Sequence, residues 1–291
     1  MSYNITKLFC CLDDFAKVYE EWERSRVVGT PGMRRRCGKL SLSEMLFIAV
    51  LFHIEKFKDF KHFYLYGVLH KHRDKFGDLP CYARFVQLMP RLIVPLAIFL
   101  QSLSGERTGI YFADSTKLAV CHNKRINRNR VFAGLAKRGK TSMGWFYGFK
   151  LHMVINHKGE IVAVKITAGN VDDAKIIERL TEGLTGKCYA DRGYIGQKLF
   201  ERLFRKGLQL IVSIRKNMKN KLVPLLDKLL LRKRFLIETL FGVLKNSLNL
   251  EHSRHRSPLN FLVNALACLV AYCFKNNKPA LKSGQRELNH N

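Results

Sequence analysis

The stretch Ile110-Tyr111-Phe112-Ala113-Asp114-Ser115 decides how this chain is read. It opens an apolar, β-rich run that lasts to Cys121 and follows the polar, Gly-containing turn Ser102–Thr108, the pattern of a buried strand. Outward from it, Trp145 to Ile155 is a second such run. Glu160 to Thr167 sets Val162, Val164 and Ile166 at period two, and the turn His157-Lys158-Gly159 joins the pair as a hairpin. Val171 to Leu184 has the spacing of an amphipathic helix with Asp172 or Asp173 near its N-cap. A short strand, Lys187 to Asp191, closes at Arg192-Gly193; Gln197 to Lys206 reads as a helix and Leu208 to Ile214 as a strand. A long helix over roughly Pro224 to Leu248 and an apolar helix over Leu259 to Phe274 complete an α/β order, with helices on both faces of the sheet.

Toward the N-terminus the texture is helical: Asp13 to Glu23, Ser41 to Ile54, and Tyr82 to Leu103, the last interrupted by Pro90 and Pro95. Ser41 with Glu44 forms a capping box, and Arg34-Arg35-Arg36 lies in a Gly-Pro loop. The expected organisation is a small all-helical domain over 1–105 and an α/β domain over 106–291. Helices with a basic loop suit binding to DNA ends, and a plain packing domain fits the same texture equally.

Lys and Arg number 51 against 23 Asp and Glu, a formal charge of +28, which calls for a polyanion, nucleic acid first. Residues 1–105 carry 16 basic and 10 acidic side chains and residues 106–291 carry 35 and 13, so the surplus belongs to the α/β part. A membrane-surface role is disfavoured: the longest near-apolar stretch, Phe261 to Phe274, includes Asn264 and falls short of the roughly 20 residues a span needs. Met1 to Cys11 shows no export signal, so a cytoplasmic protein is expected. The eight cysteines form no CxxC pair and read as reduced thiols rather than zinc ligands or disulfides.

In so basic a chain the carboxylates are informative. Asp114 is the only acid from Arg107 to Gly159, and Asp227 and Glu238 are the only two from Arg202 to Leu250. Asp114, Asp191 and Glu238 each stand in apolar sequence, where an unpaired carboxylate is costly. Taken singly, each suits a salt bridge. Together, an acid within the first strand, one at a later strand end and one on a late helix can converge at a sheet edge. Such a cluster suits hard divalent cations, and two of them can clamp the attacking and leaving oxygens of a phosphodiester. On a regular helix Arg234, Glu238 and Lys245 fall within about 40° of one another, so two cations bracket an acid and could hold phosphate. An i,i+4 pair between Arg234 and Glu238 is the simpler reading of the same spacing.

With these residues in place, the sequence resembles the DDE transposases of bacterial insertion sequences. The resemblance rests on Phe112-Ala113-Asp114-Ser115, on Tyr189-Ala190-Asp191-Arg192-Gly193-Tyr194, and on Arg234, Glu238 and Lys245 spaced as in the family's Tyr-Arg-Glu-Lys signature. Where that signature has its Tyr, this chain has Leu231, so the Tyr's role does not carry over. Tyr147-Gly148-Phe149-Lys150-Leu151-His152, Thr167-Ala168-Gly169-Asn170-Val171-Asp172-Asp173 and Arg254-His255-Arg256-Ser257 are similar to the family's intervening motifs, and the chain resembles the branch called insertion-sequence family nine-eighty-two. The likeness spans Ile110 to Phe274. It implies an RNase H-like mixed five-stranded sheet with flanking helices. It also implies that Asp114, Asp191 and Glu238 hold two Mg2+ (or Mn2+) ions, and that the chain cleaves the ends of an insertion sequence and joins the freed 3′-hydroxyls to target DNA. Its partners would be double-stranded DNA, as terminal inverted repeats and target, and a second copy in a synaptic complex. An RNase H-like nuclease without joining, or a catalytically inactive domesticated DNA-binding protein, are the alternatives.

Other residues carry weaker signals. Asp172 and Asp173 suit a helix cap more than a metal, Asn170 suits a turn, and His152 suits the core or the support of a site. The segment His122 to Lys150 has eight Lys or Arg and no acid. Its Lys124, Arg125, Arg128, Arg130, Lys137, Arg138 and Lys140, with Trp145, Phe146 and Tyr147, suit contact with phosphates and unpaired bases. Arg254 and Arg256, flanking His255, with His252 nearby, suit phosphate contact, and the run Arg215 to Lys221 is another candidate.

Overall fold

Long apolar runs separated by turn residues give a chain of alternating strands and helices, and the computed structural model describes residues 3–26, 38–142, 144–213, 224–251 and 255–281 of it. Two units emerge: Met1–Leu103 with Leu244–Asn276, and Ser104–Val243 with Asn277–Asn291.

The first unit is helical. It contains α1 (Ile5–Arg26), α2 (Leu42–Ile54), α3 (Phe60–His62) running into a π-helical stretch Phe63–Lys71, α4 (Tyr82–Leu88) and α5 (Ile93–Ser102). At the start of α2, Ser41 accepts from the Glu44 amide and Glu44 reaches back to the Ser41 amide, the expected capping box. Among the described residues, Tyr82–Ser102, rather than Phe261–Phe274, is the stretch long and apolar enough to span a membrane by composition. It is broken by a tighter turn at Met89–Leu92, and its Phe85, Leu92, Leu96 and Phe99 are buried in the unit.

The second unit is built on a sheet of β1 (Ile110–Cys121), β2 (Lys137–Thr141), β3 (Gly144–Asn156), β4 (Ile161–Ala168), β5 (Gly186–Ala190) and β6 (Leu208–Val212). The order is β2-β3-β1-β5-β6, with β4 also on β3. Two strands share one side of β3: β2 takes Gly144 to Gly148 and β4 takes Phe149 to Ile155. β1 is central, antiparallel to β3 and parallel to β5, with Ala113 beside Ala190. Side chains alternate across a strand. Tyr111, Ala113, Cys188 and Ala190 therefore face one way, under α6 (Asp173–Leu180) and α7 (Gln197–Arg205), which bury Ile177, Leu180, Leu199 and Leu203 there. Phe112 and Tyr189 face the other way, their rings 5.7 Å apart, on the side where α8 (Leu225–Arg232) and α9 (Phe235–Gly242) pack.

Three expectations are corrected. The sheet has a sixth strand: Lys137–Thr141 lacks an apolar pattern, yet β3 extends past the end of β4 at Ala168 and its free backbone groups there pair with β2. The helix expected over Pro224 to Leu248 is not continuous. Its hydrogen bonds tighten at Lys233 to Ile237, so α8 and α9 are separate, and Val243–Ser247 is π-helical. Finally, the second domain is not the whole of 106–291. The helix α10 (Pro258–Cys273) is apolar on every side and buries ten residues, so it needs cover all round, which α2 and α5 of the helical unit supply.

Candidate active site

Asp114 sits one residue beyond the last β1–β5 pair, where alternation aims it to the α9 face of the sheet. Its Oδ1 accepts the Ser115 amide at 2.8 Å, and its side chain is only 20% exposed. Asp191 ends β5 in extended backbone and starts the turn Arg192–Tyr194, leaving its carboxylate half-exposed. Glu238 stands in the first turn of α9, also half-exposed. These three acids, expected from the sequence to converge, do so around one guanidinium. Arg234 Nη1 donates to Asp114 Oδ2 at 3.0 Å, Nη2 donates to Glu238 Oε1 at 2.8 Å, and Nη2 lies 3.9 Å from Asp191 Oδ1. Burial pushes the Asp114 carboxyl up to about 6; Arg234 and the Ser115 amide oppose the shift, and Asp191 and Glu238 add to it.

Across residues 104–258, a little over half of the chain, the sequence matches the family model described as a transposase DDE domain. The chain belongs to that family. A cryo-EM structure of a piggyBac transposase synaptic complex with hairpin DNA superposes with a TM-score of 0.48 at 9% identity, covering 94% of this chain and 75% of that one. A search of curated proteins finds no match.

The matched segment of this transposase contains all three acids and Arg234. Among the described residues, no three of His, Cys, Asp and Glu close round a single point, because the acids are held about Arg234. Their chemistry nevertheless fits a divalent cation. The donors are all hard oxygens, two of the three carboxylates are open to solvent, and one guanidinium leaves the cluster with two negative charges in excess.

Lys245 does not follow from extending a regular helix past Glu238, since the chain there is π-helical. In the helical unit it pairs with Glu251 at 3.0 Å. Lys124, Arg125 and Arg128 lie in a tight turn, Asn123–Arg128, and Arg130, Lys137, Arg138 and Lys140 follow it; all seven are exposed. Trp145 is 61% exposed, with Lys140 Nζ 5.7 Å from its ring centre. Phe146 and Tyr147, in contrast, are buried and serve the core. Arg256 is exposed in the helical unit, whereas His252, Arg254 and the runs at Arg34 and Arg215 to Lys221 lie outside the described residues.

Asp172 caps α6 by accepting the Ala174 amide, as expected. Asp173 accepts from Lys150 Nζ at 3.1 Å and lies 3.4 Å from His152 Nδ1. His152 is buried, bonded through Nε2 to Thr167, and burial holds its pKa down at about 4, so it is a neutral core residue. Two features escaped the sequence: Arg234 at the centre of the acids, and a network in which the buried Asp227 and Tyr189 meet the partly exposed Lys187. Its one signal was the scarcity that made Asp227 and Glu238 the only acids from Arg202 to Leu250.

Proposed function

We propose that this transposase cleaves DNA at the ends of a mobile element and joins the freed 3′-hydroxyls to target DNA. The observation that carries the proposal is the meeting of Asp114, Asp191 and Glu238 around Arg234 within the family's segment. In this reading the sheet is RNase H-like, and the three carboxylates hold two Mg2+ or Mn2+ ions. Bound there, such ions polarise a water or 3′-hydroxyl and the phosphodiester oxygens. Arg234 offsets one of the three negative charges and would be available to phosphate oxygens once another cation takes the carboxylates. The exposed cations from Lys124 to Lys140 neutralise backbone phosphates, and Trp145 offers a face for an unpaired base. Because two ends must be joined together, a dimer is the working form. The bacterial cytoplasm, on the nucleoid, and an insertion sequence of the nine-eighty-two type are the setting that the sequence resemblance supports.

The test is incubation with labelled inverted-repeat DNA, with and without Mg2+, followed by product mapping. Metal-dependent nicks and joined products are expected from the native chain. Asp191→Asn and Glu238→Gln should lose both while keeping DNA binding in a mobility-shift assay. Cleavage without joining would reduce the function to that of a nuclease. Full cleavage by both variants would overturn the site.

A further inference from the structure

The helix α8 is rich in leucine, yet Leu225, Leu226 and Leu229 are exposed, and its one buried residue is Asp227. A carboxylate taken inside this way must be fully bonded. Lys187 Nζ donates to its two oxygens at 2.9 and 3.0 Å, and the Tyr189 hydroxyl donates to Oδ1 at 2.7 Å. Burial works against the charge, but these hydrogen bonds outweigh it and hold the carboxyl below its usual range. The helix is thus tied to the sheet by charge and hydrogen bonds rather than by its apolar residues.

The tie lies one step below the acid cluster on the same face. Lys187, Tyr189 and Asp191 alternate along β5 and its extended end, so all three face α8 and α9. Tyr189 touches Phe112, and each of these rings sits two residues before a site acid, Asp191 and Asp114 respectively. On the helical side, Arg234 and Glu238 follow Asp227 closely in the chain, across the junction of α8 and α9. We propose that Asp227 is a positioning residue for the acid cluster: its clamp on Lys187 and Tyr189 fixes where Arg234 and Glu238 stand against Asp114 and Asp191. The proposal rests on the DDE reading of that cluster. Groups that orient metal-binding carboxylates from behind commonly carry 10–100-fold in affinity or activity.

The experiment is Mn2+ binding to the full chain without DNA, read by the electron paramagnetic resonance of free Mn2+, at a temperature where circular dichroism shows each variant folded. Asp227→Leu, close in volume but unable to accept a hydrogen bond, should weaken Mn2+ binding about tenfold or more. Tyr189→Phe, which deletes one hydroxyl, should move it the same way by less. Asp227→Asn, whose amide oxygen still accepts from Tyr189, should recover part of the loss, a rescue that fold stability alone does not demand. If Asp227→Leu does not fold, Tyr189→Phe decides, and native Mn2+ affinity in that variant overturns the proposal. Asp114→Asn is the control. A native chain that binds no Mn2+, or binds it as well after Asp114→Asn, overturns the metal reading and this proposal with it. A control that loses binding beside Asp227→Leu and Tyr189→Phe variants that keep it overturns the role of Asp227 alone.

Discussion

Replacing Asp114 by asparagine keeps the shape of the side chain and an oxygen for the Ser115 amide, and removes one of three clustered negative charges. Folding raises this carboxyl from 3.8 to about 6, burial being the main cause. For an acid whose affinity for protons rises on folding, the folded state loses stability as pH climbs between those two values, and the loss is complete above the higher one. At about 1.4 kcal/mol per tenfold change in proton affinity, the ionised Asp114 costs about 3 kcal/mol above pH 7, and about half of that at pH 5. The asparagine variant escapes this cost. In EDTA at pH 8 it should be more stable than the native protein by up to about 3 kcal/mol, raising the melting temperature of the α/β unit by about 2–4 °C per kcal/mol. The gap should shrink toward pH 4. Saturating Mn2+ should narrow it at pH 8, because only the native site gains binding energy, about 2.7 kcal/mol at a hundred times Kd. The assay is urea unfolding followed by circular dichroism over pH 4–8, with and without metal. An Asp114→Asn protein no more stable than the native one at pH 8 in EDTA, or a gap that does not narrow at low pH, would refute the electrostatic account of the site.

Exchanging Lys137, Arg138 and Lys140 for alanine should weaken binding to any duplex and lower the slope of log affinity against log salt by about 2.7, as measured by fluorescence anisotropy across a salt series. Ser41→Ala should cost the helical unit about 1 kcal/mol in urea unfolding, since it removes the capping box of α2. At Gly148 an added Cβ meets the Leu118 carbonyl of β1, backbone against backbone. Gly148→Ala should therefore destabilise the sheet by more than about 2 kcal/mol, with insoluble expression or a sharply lowered melting point as the readout.

How much of this was legible in advance follows the range of the forces involved. The capping box of Ser41 and Glu44 and the cap at Asp172 are bonds between residues two or three apart, and they stand where the sequence places them. The five strands seen in advance are apolar because they are covered, whichever elements cover them. Asp114, Asp191 and Glu238 stood out because a basic chain offered few other acids. The β2 strand did not, because Lys137–Thr141 has no apolar signature and is strand only by virtue of the free edge beside it. Nor did the assignment of α10: a helix apolar on all sides suits any core, and only the packing puts it against α2 and α5. The long helix that splits at Lys233 places Arg234 among carboxylates 120 and 43 residues away, as well as beside its neighbour Glu238. Local hydrogen bonding and hydrophobic patterning, both written in adjacent residues, determined the elements and singled out the acids. Which cation pairs with those acids, and that a buried Asp227 ties α8 to the sheet beneath them, depends on contacts between distant segments, and only the tertiary structure decided it.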